Sequence, residues 1–180
     1  MRNFKTEGIV IKRRNFGEAD RILTVFTKRR GKIQIKALGV RKITSKRSPH
    51  VELLNYSSFS LHQGRSLPIL TEAQTLEDFS QIKDSLIKVG FCYHICELID
   101  GLCPENQENS MVFPFLLATL KRLSNQEKIV EIIHEFEINL LVHLGYYKHS
   151  ALNKDFDSSA FIERVLEKKL RSKNIFPHFV

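Results

Sequence analysis

A chain of 180 residues with 42% hydrophobic residues and thirteen Phe has enough apolar surface for a buried core, which excludes wholesale disorder despite 27% charged residues. No apolar run reaches the roughly 18 residues of a membrane-spanning helix. Met1, Arg2, Asn3, Phe4 and Lys5 are followed by no apolar stretch of signal-peptide type, so the reading is a soluble, intracellular protein without a membrane partner. The net charge of +8 is unevenly divided: residues 1–50 hold fifteen Lys or Arg against Glu7, Glu18 and Asp20, a local +12, and the rest nets −4. Such a basic front half attracts polyanions through counterion release, which favours a nucleic-acid backbone as partner. The plainer alternative is a basic surface that only keeps the chain in solution.

From Thr6 to about Phe79 the sequence alternates with period two. Glu7 to Arg14 and Asp20 to Thr27 read as strands joined by a turn at Gly17. Lys28-Arg29-Arg30-Gly31 is a basic turn into a third strand, Gly31 to Ala37, with Ile33, Ile35 and Ala37 on one face and Lys32, Gln34 and Lys36 on a wet, basic one. Gly39 to Pro49 is polar, basic and aperiodic, and reads as a mobile loop. Leu53 to His62 and Ile69 to Leu76 bring the count to five strands, with Gly64 and Pro68 between them. Five short strands in under 80 residues suggest a small closed barrel, and in oligonucleotide-binding barrels one sheet face and its loops form the binding groove.

After Phe79 the spacing becomes helical. A stripe from Leu86 to Ile99 ends near Gly101 and Pro104, Met111 to Leu123 and Ile129 to Leu144 follow, and Gly145 ends the third helix. Ala160 to Arg171 is a final amphipathic stretch. The expected fold is α+β in two parts: a five-stranded oligonucleotide-binding barrel over residues 1–79 and an α-helical bundle domain over 80–180.

Few constellations carry chemistry. Cys92, Cys96 and Cys103 are odd in number and sit among Phe91, Ile95, Leu98 and Leu102, which points to core packing in a reducing cytoplasm rather than to disulfides or a metal. His94 is expected on the opposite side of that helix. His134-Glu135 lacks the second His of a zinc-protease helix, because position 138 is Ile. No phosphate loop, nucleophile elbow or catalytic carboxylate set is recognisable, so neither catalysis nor a cofactor is assigned. What remains is a phosphate-neutralising set of Arg13, Arg14, Lys28, Arg29, Arg30, Lys32, Lys36, Arg41, Lys42, Lys46 and Arg47. Phe16 and Tyr56 are candidates for base stacking. An RNA-binding or ribosome-associated barrel, or a protein-interaction adaptor working through its helices, is the alternative.

The ordered succession Thr6-Glu7-Gly8-Ile9-Val10, Gly17-Glu18-Ala19-Asp20-Arg21, Thr27 with Gly31-Lys32, and Gly39-Val40-Arg41 with Ser45-Lys46 resembles the N-terminal signature of the bacterial RecO recombination mediators. A helix end at Leu140, Leu141, Leu144, Gly145 and Tyr146 extends the resemblance over roughly residues 4–150. The resemblance implies a non-enzymatic DNA repair role in the cytoplasm, at the nucleoid. Such proteins bind single- and double-stranded DNA, anneal complementary strands, contact the acidic tail of single-stranded DNA-binding protein (SSB), and work with RecR to load RecA. Lys121 and Arg122 are the candidates for that tail contact. Many members carry a four-Cys zinc module after the Leu-Gly-Tyr segment. Here no Cys follows Cys103 and the sequence runs to Val180, so no structural zinc is expected.

Overall fold

The computed structural model describes residues 3–125, 128–148 and 156–174. Five strands, β1 (Asn3–Phe16), β2 (Asp20–Thr27), β3 (Gly31–Ala37), β4 (Tyr56–His62) and β5 (Ile69–Glu77), close in the order β1-β2-β3-β5-β4. This is the five-stranded barrel expected of an oligonucleotide-binding fold. The bounds of β2 and β3 coincide with those predicted, because Gly17 and Gly31 take positive φ in the flanking turns. β1 runs four residues further at its start than the alternation suggests, since Asn3 to Ile9 pair with β4 while Gly8 to Phe16 pair with β2. One strand thus serves both neighbours by bending at a bulge between Val10 and Lys12. Gly8 lies where the two pairings overlap, and a Cβ there would meet Val25 Cγ1 at 2.5 Å. Closure rests on a parallel contact of Lys36 with Ile69 and a bond from Lys36 N to Pro68 O at 2.8 Å.

The barrel is filled by Val10, Leu23, Val25, Ile35, Phe59, Leu61 and Leu70. Each fully buried side chain of this size contributes roughly 1.5–3 kcal/mol relative to exposure. Residues 104–110 fall in the helical half of the sequence yet group with the barrel as one compact unit. This segment runs beside the start of β3: Asn106 N donates to Lys32 O at 2.8 Å, and Gln34 Nε2 donates to Glu105 Oε1 at 2.7 Å. A Cβ on Gly31 would lie 1.8 Å from Gln107 O, so glycine is required both by its backbone angle and by this close approach.

The second unit, residues 79–103 and 111–180, contains α1 (Ser80–Lys83), α2 (Leu86–Leu102), α3 (Val112–Asn125), α4 (Ile129–His143) and α5 (Ser158–Leu166). Ser85 caps α2 by accepting from Lys88 N, and Asp157 caps α5 by accepting from Ala160 N. At the end of α4, Tyr146 N donates to Leu141 O and Gly145 N to Val142 O, with Gly145 at φ 79°. That is the Schellman arrangement, and it explains why the Leu-Gly-Tyr signature sits at a helix terminus. The last helix is shorter than predicted: Glu167 turns left-handed at φ 53°, and a 3₁₀ turn, Arg171–Asn174, follows.

α2 is buried on more than one face, with His94 at 0% exposure alongside Cys92, Ile95, Cys96, Leu98 and Ile99. The far side predicted for His94 is therefore a second packed surface. There His94 Nε2 lies 2.7 Å from Glu137 Oε1 and Nδ1 lies 2.7 Å from Ser172 Oγ. Ser158 Oγ donates to Glu137, and Ser172 Oγ donates to Glu97 at 2.7 Å. All three cysteines are free and buried, and burial pushes the Cys92 thiol up to about 12. None of the described helices is long and apolar enough to cross a membrane.

Candidate nucleic-acid interface

Register sorts the candidate cations into two groups. Phe16 pairs with Asp20 at one end of the β1–β2 ladder and Gly8 with Thr27 at the other. The turns after Phe16 and after Thr27 therefore lie at opposite ends of the barrel, separated along the seven steps of β2 by about 23 Å at ordinary strand rise.

The first end combines the β1–β2 turn with the loop of residues 38–47. The loop is organised rather than irregular. Successive i to i+3 bonds run from Lys42 N to Gly39 O, Ser45 N to Lys42 O, and Ser48 N to Ser45 O, into a 3₁₀ turn, Ser48–Val51. It is anchored to the neighbouring turn by Gly39 N donating to Asp20 Oδ1 at 2.8 Å and Arg41 N donating to Ala19 O at 2.9 Å. Arg47 clamps it from below, donating to Leu70 O at 2.6 Å and to Leu38 O at 2.7 Å. The mobile loop read from composition is thus a docked one, because its polar residues satisfy their backbone on the barrel rather than in water. A cleft of about 840 Å³ between the two segments is lined by Asp20, Lys42, Ser45, Lys46 and Arg47. Ser45 Oγ is buried with no hydrogen-bond partner among the described residues.

Arg14, Arg41, Lys42 and Lys46 are exposed at this end. Arg41 reaches Gly17 O at 3.3 Å, and among the described residues no carboxylate pairs with Lys42 or Lys46. Arg13 differs, since it and Arg21 share the carboxylate of Glu52. Phe16 is 46% exposed, with Lys36 Nζ 4.8 Å from its ring centroid.

The second end gathers Lys5, Lys28, Arg29 and Arg30, all exposed, around a groove of about 1170 Å³ that Phe4, Glu105 and Glu108 also line. Arg30 Cζ stands 4.2 Å over the Phe4 ring. Lys28 pairs with Glu7 at 3.2 Å, and Glu7 accepts from the Tyr56 hydroxyl at 2.7 Å. The Tyr56 and Lys28 bonds hold the Glu7 carboxyl below its ordinary value. Burial, then the bond to Glu7, pushes Tyr56 up to about 12. Tyr56 is therefore a half-buried, pinned hydroxyl, whereas Phe16 offers an open ring.

Lys32 departs from the wet face predicted for β3: it is 7% exposed. The cause is the 104–110 segment, whose Glu105 bridges in parallel to Lys32 and covers that edge. Gln34 and Lys36 on the same face are half-buried, held by Glu105 and by Asp20 at 3.9 Å. Phe4 and Lys5 carry no signal of their own in the sequence, because the alternating pattern is clear only from Glu7 onward and their strand is defined by pairing to β4. In the helical unit Lys121 is exposed, while Arg122 forks onto Glu135 with two bonds of 2.9 Å.

A closed five-stranded barrel with exposed cations and aromatics, carried with a separate helical unit, defines a two-part protein of the oligonucleotide-binding-barrel class. Comparison with known proteins makes this specific. Residues 1–79 match the family model Recombination protein O N terminal, and residues 83–150 match Recombination protein O C terminal. The chain belongs to the RecO family of DNA repair proteins. It is 42% identical over 144 residues to a DNA repair protein RecO of Dehalococcoides mccartyi, covering 80% of this chain and 57% of that protein. The RecO of Roseiflexus sp. is 37% identical over 145 residues, 81% of this chain and 51% of the relative. That of Acetivibrio thermocellus is 36% identical over 147 residues, 81% and 59%. The chain thus spans a little over half the length of these relatives.

Proposed function

We propose that this protein is a non-enzymatic DNA-annealing mediator that binds single- and double-stranded DNA, works with RecR, and helps to load RecA onto strands coated with SSB. Membership of the RecO family supports the role. The observation that carries the DNA-contacting assignment is the docked 38–47 loop, which holds Arg41, Lys42 and Lys46 exposed on a fixed backbone beside the open ring of Phe16. Cations without carboxylate partners release counterions when they meet phosphates, and each such contact adds about −0.7 to the salt slope on a single strand. Arg47 acts behind them as the clamp. Lys121 and Arg122 are the assigned contact for the acidic SSB tail, which would replace Glu135 on the Arg122 guanidinium.

The test is the annealing rate of two complementary DNA oligonucleotides, naked and then coated with SSB, with and without this protein. Acceleration in both states is the expected result. Absence of acceleration in either, or a clear preference for RNA of the same sequence, would overturn it in favour of another nucleic-acid role.

A further inference from the structure

We propose that the barrel carries two separate single-strand sites, one at each end, so that one chain holds two DNA strands at once. The inference rests on the DNA-binding reading above and concerns how that site is divided. Each end sets a phosphate-neutralising cluster beside an aromatic ring with a cation over it, although the Phe16 ring is exposed while Phe4 is partly buried against the barrel core. At the first end Lys42 and Lys46 stand with Phe16 and Lys36. At the second, Lys5 and Arg29 stand with Phe4 and Arg30.

Along β2, and at Lys32 on β3, no row of exposed cations joins the two clusters. β2 is buried from Ile22 to Thr27, and on β3 Lys32 is covered by the 104–110 segment. Their separation of about 23 Å along β2 is more than twice the roughly 8 Å Debye length at physiological salt, so a phosphate at one end scarcely repels a phosphate at the other. Two strands of like charge can therefore occupy one barrel, which is the arrangement that an annealing protein needs if a single chain brings complements together.

The ends are not equivalent. At the first, the unpartnered Ser45 hydroxyl adds a donor for a phosphate oxygen beside Lys42 and Lys46. Carboxylates oppose a polyanion at both ends, but Glu18 and Asp20 at the first are outnumbered by Lys42, Lys46, Arg47 and the exposed Arg14 and Arg41. At the second, Glu7, Glu105 and Glu108 nearly balance Lys5, Lys28, Arg29 and Arg30. The first site binds tightly and the second weakly, so the second strand is the one held loosely enough to be exchanged.

Titration of the full chain with a thymidine oligonucleotide of about eight nucleotides, within the span of a single barrel site, followed by native mass spectrometry, reads the count directly. The expected result is two oligonucleotides per chain at low salt, filled in two steps. Lys42→Glu with Lys46→Glu removes the tighter step, and Lys5→Glu with Arg29→Glu removes the weaker. Each double variant keeps one bound strand and loses acceleration of annealing. All four positions are exposed, so the thermal midpoint of each variant should stay at the native value. A native count of one, with tight binding, overturns the two-site arrangement and leaves the DNA-binding reading intact. Annealing retained in the Lys5→Glu, Arg29→Glu variant overturns it equally. No bound oligonucleotide at all overturns the DNA-binding reading and this inference with it.

Discussion

The two units differ in what fills their interiors and what faces outward. The barrel keeps an apolar interior of Val10, Leu23, Val25, Ile35, Phe59 and Leu61 and, although Lys32 is buried, presents exposed cations, among them Arg29, Arg30, Arg41, Lys42 and Lys46, at its turns and loop. The helical unit buries polar groups: His94, Glu137, Ser158 and Ser172 are all below 7% exposed and are linked to one another and to Glu97. Outward charge such as that of Lys42 and Lys46 stands open to a polyanion and costs the fold little. The inward polar groups of the helices are bound to their partners and make the packing specific, since each buried polar group is tolerable only with its mate present.

Breaking each interior tests that contrast most strongly. Phe59→Ala opens a cavity in the barrel and should lower stability by about 4 kcal/mol, measured by denaturant unfolding. A decrease below about 1 kcal/mol would mean that the barrel interior is not packed as described. Glu137→Ala removes the buried carboxylate that His94 Nε2 and the Ser158 hydroxyl meet in the helical unit, and should cost about 3 kcal/mol. Because the network lies wholly in the second unit, oligonucleotide affinity of the folded Glu137→Ala variant should match the native protein. A matching fall in affinity would contradict the division of roles.

On the barrel surface the effect should fall on binding and not on folding. Reversal of Arg41, Lys42 and Lys46 to Glu should weaken single-strand binding at least tenfold and flatten the salt slope by about 0.7 for each phosphate no longer neutralised, without changing sequence preference. Calorimetric or fluorescence titration across a salt series reads both. An unchanged slope would remove these residues from the interface.

The smallest effect is acid sensitivity at Glu97. Burial pushes its carboxyl up, but hydrogen bonds from Ser172 and from the Arg171 and Ser172 backbone outweigh that and leave it below its ordinary value. A lowered folded pKa contributes stability that is full above the ordinary carboxylate value and is lost as pH falls through the folded one. Unfolding midpoints measured from neutral to acid pH should therefore decline less steeply in Glu97→Gln. An acid limb identical to the native one would show that Glu97 carries none of it.

Much of the fold was legible locally. Strict alternation bounded by glycines marks β2 and β3, because period two and a positive-φ turn are properties of adjacent residues. The Leu-Gly-Tyr helix end was legible for the same reason, since Gly145 and its capping bonds lie within one turn of α4. Composition also located the cations, most of which do lie in turns and loops at the surface. The docking of the 38–47 loop was hidden: Arg47 meets Leu70 O twenty-three residues away, and no local pattern announces that a basic residue will bond carbonyls rather than phosphates.

By itself the amino-acid sequence determined the strand and helix types, the charge asymmetry and the resemblance to RecO, all of which depend on neighbours or on ordered motifs. Only the tertiary structure decided which cations stand together. Strand register sends Lys42 and Arg29 to opposite ends of the barrel, and a return segment from the helical half covers Lys32. It also decided that His94 would find Glu137 forty-three residues on. Pairing over such distances is set by which surfaces pack against one another, and that is a property of the assembled fold rather than of any window of sequence.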